Sequence, residues 1–209
     1  MQHIDRIAER IRLSFDVRTV ARDRALAQTR TLIRHCANAI RAIHRDEDEL
    51  AQENLAAAHD LVQALQTELA EYPDLYFAGY TQDALKEYAE ANIVYGLIAR
   101  DGTLPTPEDL GLQPSTYLQG LAEAVGELRR RCLDLLRLDN AQHAEVLLGY
   151  MDDIFAVLTS MDYPDAITGG LRRLTDIARS IIERTRGDLT ISLRQEQLER
   201  SLRRVEERI

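Results

Sequence analysis

The sequence predicts an all-α protein, a single antiparallel bundle of about six or seven helices. Three observations carry that expectation. Helix formers dominate and breakers are sparse, with ten glycines and five prolines in 209 residues. Apolar residues recur at helical period along most of the chain. No segment alternates apolar and polar residues for long enough to make a strand.

Helix-period runs cover about 13–45, 47–71, 82–100, 114–138, 140–161 and 165–186, and the charged stretch 190–209 reads as a tail or a last helix. Pro73, Pro105, Pro107, Pro114 and Pro164 all fall between runs or in first turns, where a missing backbone N–H costs little. Three breaks separate the runs: the aromatic-rich YPDLYFAGYT (72–81), the longer DGTLPTPEDLGLQP (101–114) and MDYPD (161–165). None has the length or low complexity of an interdomain linker, so residues 1–209 are expected to form one domain. A chain of this size can bury roughly 70% of its unfolded surface in a single core.

Composition excludes several classes. Cys36 and Cys132 are far apart and have no His or Cys company at metal spacing. That rules out a disulfide framework and a zinc finger, and fits a reducing, cytoplasmic setting. Arg6, Arg10 and Arg12 interrupt any apolar run near the start, so no signal peptide is expected there. No uncharged stretch approaches the ~18 residues of a membrane span, so a soluble protein without a membrane partner is expected. There is no P-loop, dinucleotide glycine motif or Ser-centred elbow. His3, His35, His44, His59 and His143 lack partners at ligand spacing and read as ordinary residues.

The net charge of −9 argues at first against a nucleic-acid partner. Its distribution changes that reading. Residues 1–45 hold ten arginines against Asp5, Glu9, Asp16 and Asp23, a balance of +6 that leaves −15 for the remainder. Such a split suggests a basic face at one end of an acidic molecule. Within that segment Arg30, Arg34, Arg41 and Arg45 recur at spacings of 4, 7 and 4 and share one helix face, which can neutralise phosphates without reading bases. The alternative is a solvated face paired with the acidic remainder. Arg129, Arg130 and Arg131 form a second basic cluster beside Glu127, equally consistent with phosphate contact and with internal salt bridges.

Two helices carry paired acids. Glu87 and Glu90 are spaced i, i+3, and Glu123 and Glu127 i, i+4, so each pair shares one helix face. Hard cations such as Mg²⁺ take oxygen ligands, and two such helices packed together can hold one between four carboxylates. The alternative for both pairs is a solvated acidic face. Against it, the stripe of Glu87 and Glu90 continues through Val94, Leu97 and Ile98, while Leu85, Ala89, Ile93 and Gly96 on the other side are apolar or small. A helix apolar on both sides is buried on both sides. Carboxylates at the mouth of such a face are costly unless a cation or hydrogen bonds offset them. In the second helix Leu118, Leu121, Val125, Leu128, Cys132 and Leu135 make a clean seam with Glu123 and Glu127 on the far side, which by periodicity alone reads as surface. Gly120 and Gly126 there would admit a close neighbour. Tyr72, Tyr76, Tyr80, Tyr88 and Tyr95 cluster near the first acidic helix and read as packing residues, with Tyr76 or Tyr80 as candidates to stack on a base.

These motifs resemble the translin family, and within it the catalytic type of translin-associated factor X (TRAX). PDLYFAGYTQDALKEYAEANIVY resembles the region built around that type's EYVEA-like core. YLQGLAEAVGELRRRCLDLL is similar to the family's YLxGxxxxxxELxR helix, and LPTPEDLGLQPSTYL to the segment before it. YPDAITGGLRRLTDIARSIIERTRGDL resembles the closing helix, and ARDRALAQTRTLIRHCANAIRAIHR the first basic helix, so the resemblance spans nearly the whole chain.

The resemblance implies an all-α fold of about seven helices, a closed homo-oligomer, often an octamer, and binding of RNA or single-stranded DNA. Its catalytic type implies a Mg²⁺-dependent endoribonuclease, with Mn²⁺ as the substitute cation. Glu87, Glu90, Glu123 and Glu127 are then the catalytic and metal-holding residues, with Arg30, Arg34, Arg41, Arg45 and Arg130 on the nucleic acid. Glu123 stands where the eukaryotic type usually has Asp, one methylene longer, and Glu127 is shared by both subunit types. The alternative is a non-catalytic RNA or single-stranded-DNA-binding shell of the translin kind.

Overall fold

The computed structural model describes residues 2–206 of the chain. Eight helices follow one another: α1 (Gln2–His44), α2 (Asp48–Glu68), α3 (Pro73–Tyr76), α4 (Gly79–Ala99), α5 (Pro114–Leu136), α6 (Ala141–Ser160), α7 (Asp165–Thr168) and α8 (Leu171–Glu206). None of the described residues lies in a strand. Six helices are long and two are single turns, which agrees with the all-α expectation. The chain divides into two compact units, Met1–Ala91 and Asn92–Ile209, with the boundary inside α4.

In the first unit α1 and α2 form a helical hairpin. Ala25, Thr29, Leu32, Cys36, Ile40 and Ile43 make the buried face of α1, and Ala51, Leu55, Ala58, Val62 and Leu65 that of α2. Steps of three and four residues in both rows place each on one side of its helix. Polar rungs fix the antiparallel register: His35 lies 3.0 Å from the Asn54 side chain, and Gln28 donates to Glu68 at 3.1 Å. The hairpin turns at Asp46, whose φ of 58° is left-handed, a conformation Asp tolerates better than most residues. α3 is tied to the first turn of α4, where Thr81 donates to the Leu75 carbonyl at 2.8 Å and Gln82 to that of Tyr76 at 2.9 Å.

In the second unit α5, α6 and α8 pack on one another. Leu121, Val125, Leu128 and Cys132 of α5 are buried, together with Leu147, Met151, Ile154 and Leu158 of α6 and Ala178, Ile182, Thr185 and Leu189 of α8. Arg129 crosses from α5 to α8, donating to Thr185 at 3.0 Å and pairing with Asp188 at 2.8 Å, while Arg186 reaches Asp152 of α6 at 2.7 Å. Pro114 occupies the first turn of α5, and the Asn140 side chain caps α6 by accepting from the His143 N–H. At Gly96 the loop after α4 returns so closely that a Cβ would lie 2.2 Å from the Thr103 carbonyl oxygen.

Several boundaries differ from expectation, each for a local reason. α1 starts at residue 2 rather than near 13, because Ile4, Ile7 and Ile11 extend its apolar period and no breaker intervenes. The predicted run 165–186 is broken at Gly169 and Gly170, both at positive φ, into α7 and α8. α8 then continues through Gly187 into the charged stretch expected to be separate. One helical glycine costs about 1 kcal/mol, too little to stop a packed helix. Gly126, Gly149 and Gly187 all sit in helices with nothing within 4 Å of an added Cβ, so Gly126 does not serve the close approach its sequence context suggested. No helix among the described residues is long and apolar enough to cross a membrane.

Candidate metal centre

α4 is buried on both sides, as its double apolar pattern predicts: Leu85, Ala89 and Ile93 on one side and Val94 and Leu97 on the other are at most 5% exposed. Glu87 and Glu90 project from this helix one turn apart. Glu90 is only 9% exposed, and Glu87 is half-buried. Glu123 and Glu127 on α5 are half-buried too, rather than on open surface. Periodicity misread that helix because its burial is wider than one seam: Thr116, Gly120, Ala122 and Ala124 are buried beside the leucines.

One carboxylate oxygen from each of Glu87, Glu90 and Glu123 lies within 4.8 Å of the others. Around a Mg²⁺ ion, metal–oxygen distances of about 2.1 Å put neighbouring ligand oxygens ~3.0 Å apart and opposite ones ~4.2 Å apart. Oxygen-only donors suit a hard cation, Mg²⁺ or Mn²⁺, so the residues fit the metal that the sequence implies. Three carboxylates so close repel one another unless a cation, shared protons or hydrogen bonds offset their charge. Glu127 is outside this group. Its carboxylate lies 3.6 Å from the guanidinium of Arg130, one turn along α5.

Cys36 lies behind the acid pair. It is fully buried on α1, and its thiol pKa is raised far above the ordinary range, chiefly by burial and then by the carboxylates of Glu87 and Glu90. The sequence reading missed this neighbour. Its signal was the buried-face spacing Leu32, Cys36, Ile40 on a helix otherwise read for its arginines. Tyr88, between the two glutamates, is buried, with its hydroxyl 2.9 Å from His59, so that histidine is a packing partner.

The arginines are placed differently. Arg30, Arg34, Arg41 and Arg45 are all exposed on one face of α1. No carboxylate among the described residues pairs with Arg30, Arg34 or Arg45, and Arg41 bonds to the Asn38 amide. The stripe is thus a solvated face, unpaired with carboxylates at Arg30, Arg34 and Arg45 among the described residues. Arg34 precedes Cys36 by two residues and Arg41 follows it by five, so the stripe lies on the side of α1 away from Cys36 and the glutamates behind it. Of the second cluster, Arg129 is committed to Asp188 and Thr185, and Arg130 is half-exposed against Glu127.

Fold and site together define an all-α protein with clustered carboxylates, and comparison with known proteins supplies its kinship. No family model matches the chain. It is 33% identical over 188 residues to an uncharacterized protein of Methanocaldococcus jannaschii, covering 88% of this chain and 82% of that one. Among solved structures it is similar to AfC3PO, at 33% identity in its crystal structure and 32% in its complex with duplex RNA. Both superpose with a TM-score of 0.81 over 88% of this chain and 95% of theirs. Apo-NeC3PO, at 20% identity, shares the fold with the same TM-score over 88% of this chain and 96% of its own. The chain belongs to the translin family, to which the C3PO proteins belong.

Proposed function

We propose that this protein is a Mg²⁺-dependent endoribonuclease of the translin-associated factor X type that acts as a homo-oligomer, with an octamer as the expected size. The observation that carries this reading is the convergence of Glu87, Glu90 and Glu123. When bound, the cation would polarise the scissile phosphate and lower the pKa of the attacking water. Glu90, the most enclosed, fixes the position of the centre. Glu87 and Glu123, half-buried, are the carboxylates that reach the solvent side, where one can take the proton from water. Glu127 joins as a fourth acid by leaving Arg130, a half-exposed pair whose loss costs less than about 1 kcal/mol.

RNA as the substrate class is supported by the AfC3PO neighbour, which was solved with duplex RNA. Single-stranded and partly paired RNA, with single-stranded DNA as a bound competitor, are the ligands proposed. The exposed arginines of α1 hold the phosphate backbone away from the cut, so sequence preference should be weak. The test is cleavage of labelled RNA with Mg²⁺ or Mn²⁺ by wild type and Glu90→Gln. Cleavage that disappears with the substitution and with chelator supports the reading, and equal cleavage by both proteins removes it.

A second reading, binding without cleavage, is favoured by the engagement of Glu127 with Arg130, which leaves three acids rather than four in the cluster. Wild-type protein that binds RNA with steep salt dependence but shows no metal-dependent turnover would select it.

A further inference from the structure

The 26 Lys and Arg residues of this chain are 25 arginines and one lysine. That lysine is Lys86, next to Glu87 on α4 and four residues before Glu90. Whatever bias filled every other such position with arginine, it is broken only where the carboxylates converge. The two residue types are not equivalent. Arginine offers a rigid fork that locks onto a carboxylate, and lysine a compact charge on a flexible stem.

The helix fixes where Lys86 stands. At about 100° per residue it lies about 40° round α4 from Glu90, on the side away from Glu87, which lies about 60° the other way. Residues at i and i+4 have Cβ atoms ~5–6 Å apart. Helical side chains lean toward the N-terminus, which carries the Glu90 carboxylate back over the turn that begins at Lys86. Lys86 is half-buried and, like Glu87, Glu90 and Glu123, is engaged by neighbouring groups. An ordinary helix-stabilising pair accounts poorly for this lysine. Lysine before glutamate is the weaker order along a helix. Glu90, only 9% exposed, is also withdrawn from the surface where such pairs form.

The charge of the centre shows what else Lys86 can do. Three ionised glutamates around one divalent cation leave a net charge of −1. A phosphodiester brings a further negative charge, and like charges in a half-buried site repel. Phosphate therefore needs another cation there. The arginine stripe of α1 lies on the side away from the glutamates, Arg129 is committed to Asp188 and Thr185, and Arg130 stands against Glu127. Lys86 is on the acid-bearing turn itself.

We propose that Lys86 is a phosphate-holding residue of the metal centre. Its ammonium lies on the Glu90 carboxylate until a cation engages that carboxylate, then turns to a non-bridging oxygen of the scissile phosphate. This rests on the catalytic reading and adds a group to it. Lysine suits the exchange because its ammonium can leave one anion for another, where a bidentate guanidinium would stay.

The two roles pull in opposite directions, which makes the test specific. Mn²⁺ uptake is read by electron paramagnetic resonance without RNA, and cleavage of labelled RNA at saturating Mn²⁺. Lys86→Gln removes a positive charge beside the cation, so it should bind Mn²⁺ about three- to tenfold more tightly. The same variant should cut RNA at least about tenfold more slowly, with unchanged helical circular dichroism. Lys86→Arg keeps the charge and should return Mn²⁺ affinity to the wild-type value; failure to do so would remove charge as the cause and overturn the proposal. Weaker Mn²⁺ binding together with slower cleavage in Lys86→Gln would show a residue that only supports the helix, and would overturn it too. So would no change in either quantity. Wild type that takes up no Mn²⁺ or cuts no RNA removes the catalytic reading itself, and this proposal with it. Wild type that does both, with Lys86→Gln behaving identically, removes the proposal alone.

Discussion

The hydroxyl of Tyr88 on α4 lies 2.9 Å from Nδ1 of His59 on α2, with Tyr88 itself almost fully buried. The Gln63 amide nitrogen donates to His59 Nε2 at 2.8 Å, so the imidazole carries its proton on Nδ1 and donates it to the Tyr88 hydroxyl. The link joins α2 to the one turn of α4 that bears Glu87 and Glu90. Tyr88→Phe keeps the ring and removes the bond. It is expected to cost about 1 kcal/mol, seen as a melting temperature lower by roughly 2–4 °C.

Gly96 should be intolerant of any side chain. An alanine Cβ there would lie 2.2 Å from a backbone oxygen, and the backbone of Thr103 and Leu104 is what must move. Gly96→Ala is expected to destabilise by about 1–3 kcal/mol, measured by urea unfolding.

Alkaline stability should be limited by the two cysteines. Burial raises both thiols, with Glu87 and Glu90 adding to the effect at Cys36, while Arg129 partly opposes it at Cys132, which is pushed up to about 11 from an unfolded value of 9.0. Each folded thiol therefore keeps a proton that the unfolded chain releases. Stability is full below pH 9 and falls as pH rises above it, by about 2 kcal/mol through Cys132 alone at pH 11. Urea midpoints between about pH 8 and 10.5 measure the slope, and Cys132→Ala should flatten it.

RNA affinity should depend on salt through the exposed arginines of α1. Replacing Arg30, Arg34 and Arg45 with alanine is expected to weaken binding evenly across sequences. It should also flatten the slope of log affinity against log salt by about 2, at about 0.7 per phosphate contact on a single strand. Fluorescence anisotropy at several salt concentrations reads both effects, and a selective loss for one sequence would contradict a backbone-only role.

Much of this molecule was legible in its sequence, and the failures are specific. Helical period located all six long helices, and the double apolar pattern around Glu87 and Glu90 correctly foretold a helix buried on two sides. The half-burial of Glu123 was not legible, because a face of alanine and glycine beside a leucine seam has no amphipathic signature of its own. The last helix was cut short at Gly187 because a lone glycine is a weak stop that packing overrides. The spacing of four arginines was right, but a stripe says nothing about which side of its helix faces the acids. That required knowing where Cys36 points.

Gly126, Gly149 and Gly187 leave α5, α6 and α8 each with a position where a methyl group would touch nothing. Alanine at all three would gain on the order of 2–3 kcal/mol from helix propensity. The heat tolerance of this chain therefore lies below the ceiling its own backbone allows. Gly126 is the telling case, since it sits in the turn between Glu123 and Glu127. If those carboxylates must shift to embrace an ion, a stiffer turn should exchange turnover for endurance. Warming Gly126→Ala alongside Gly187→Ala would separate slack that serves chemistry from slack that serves nothing.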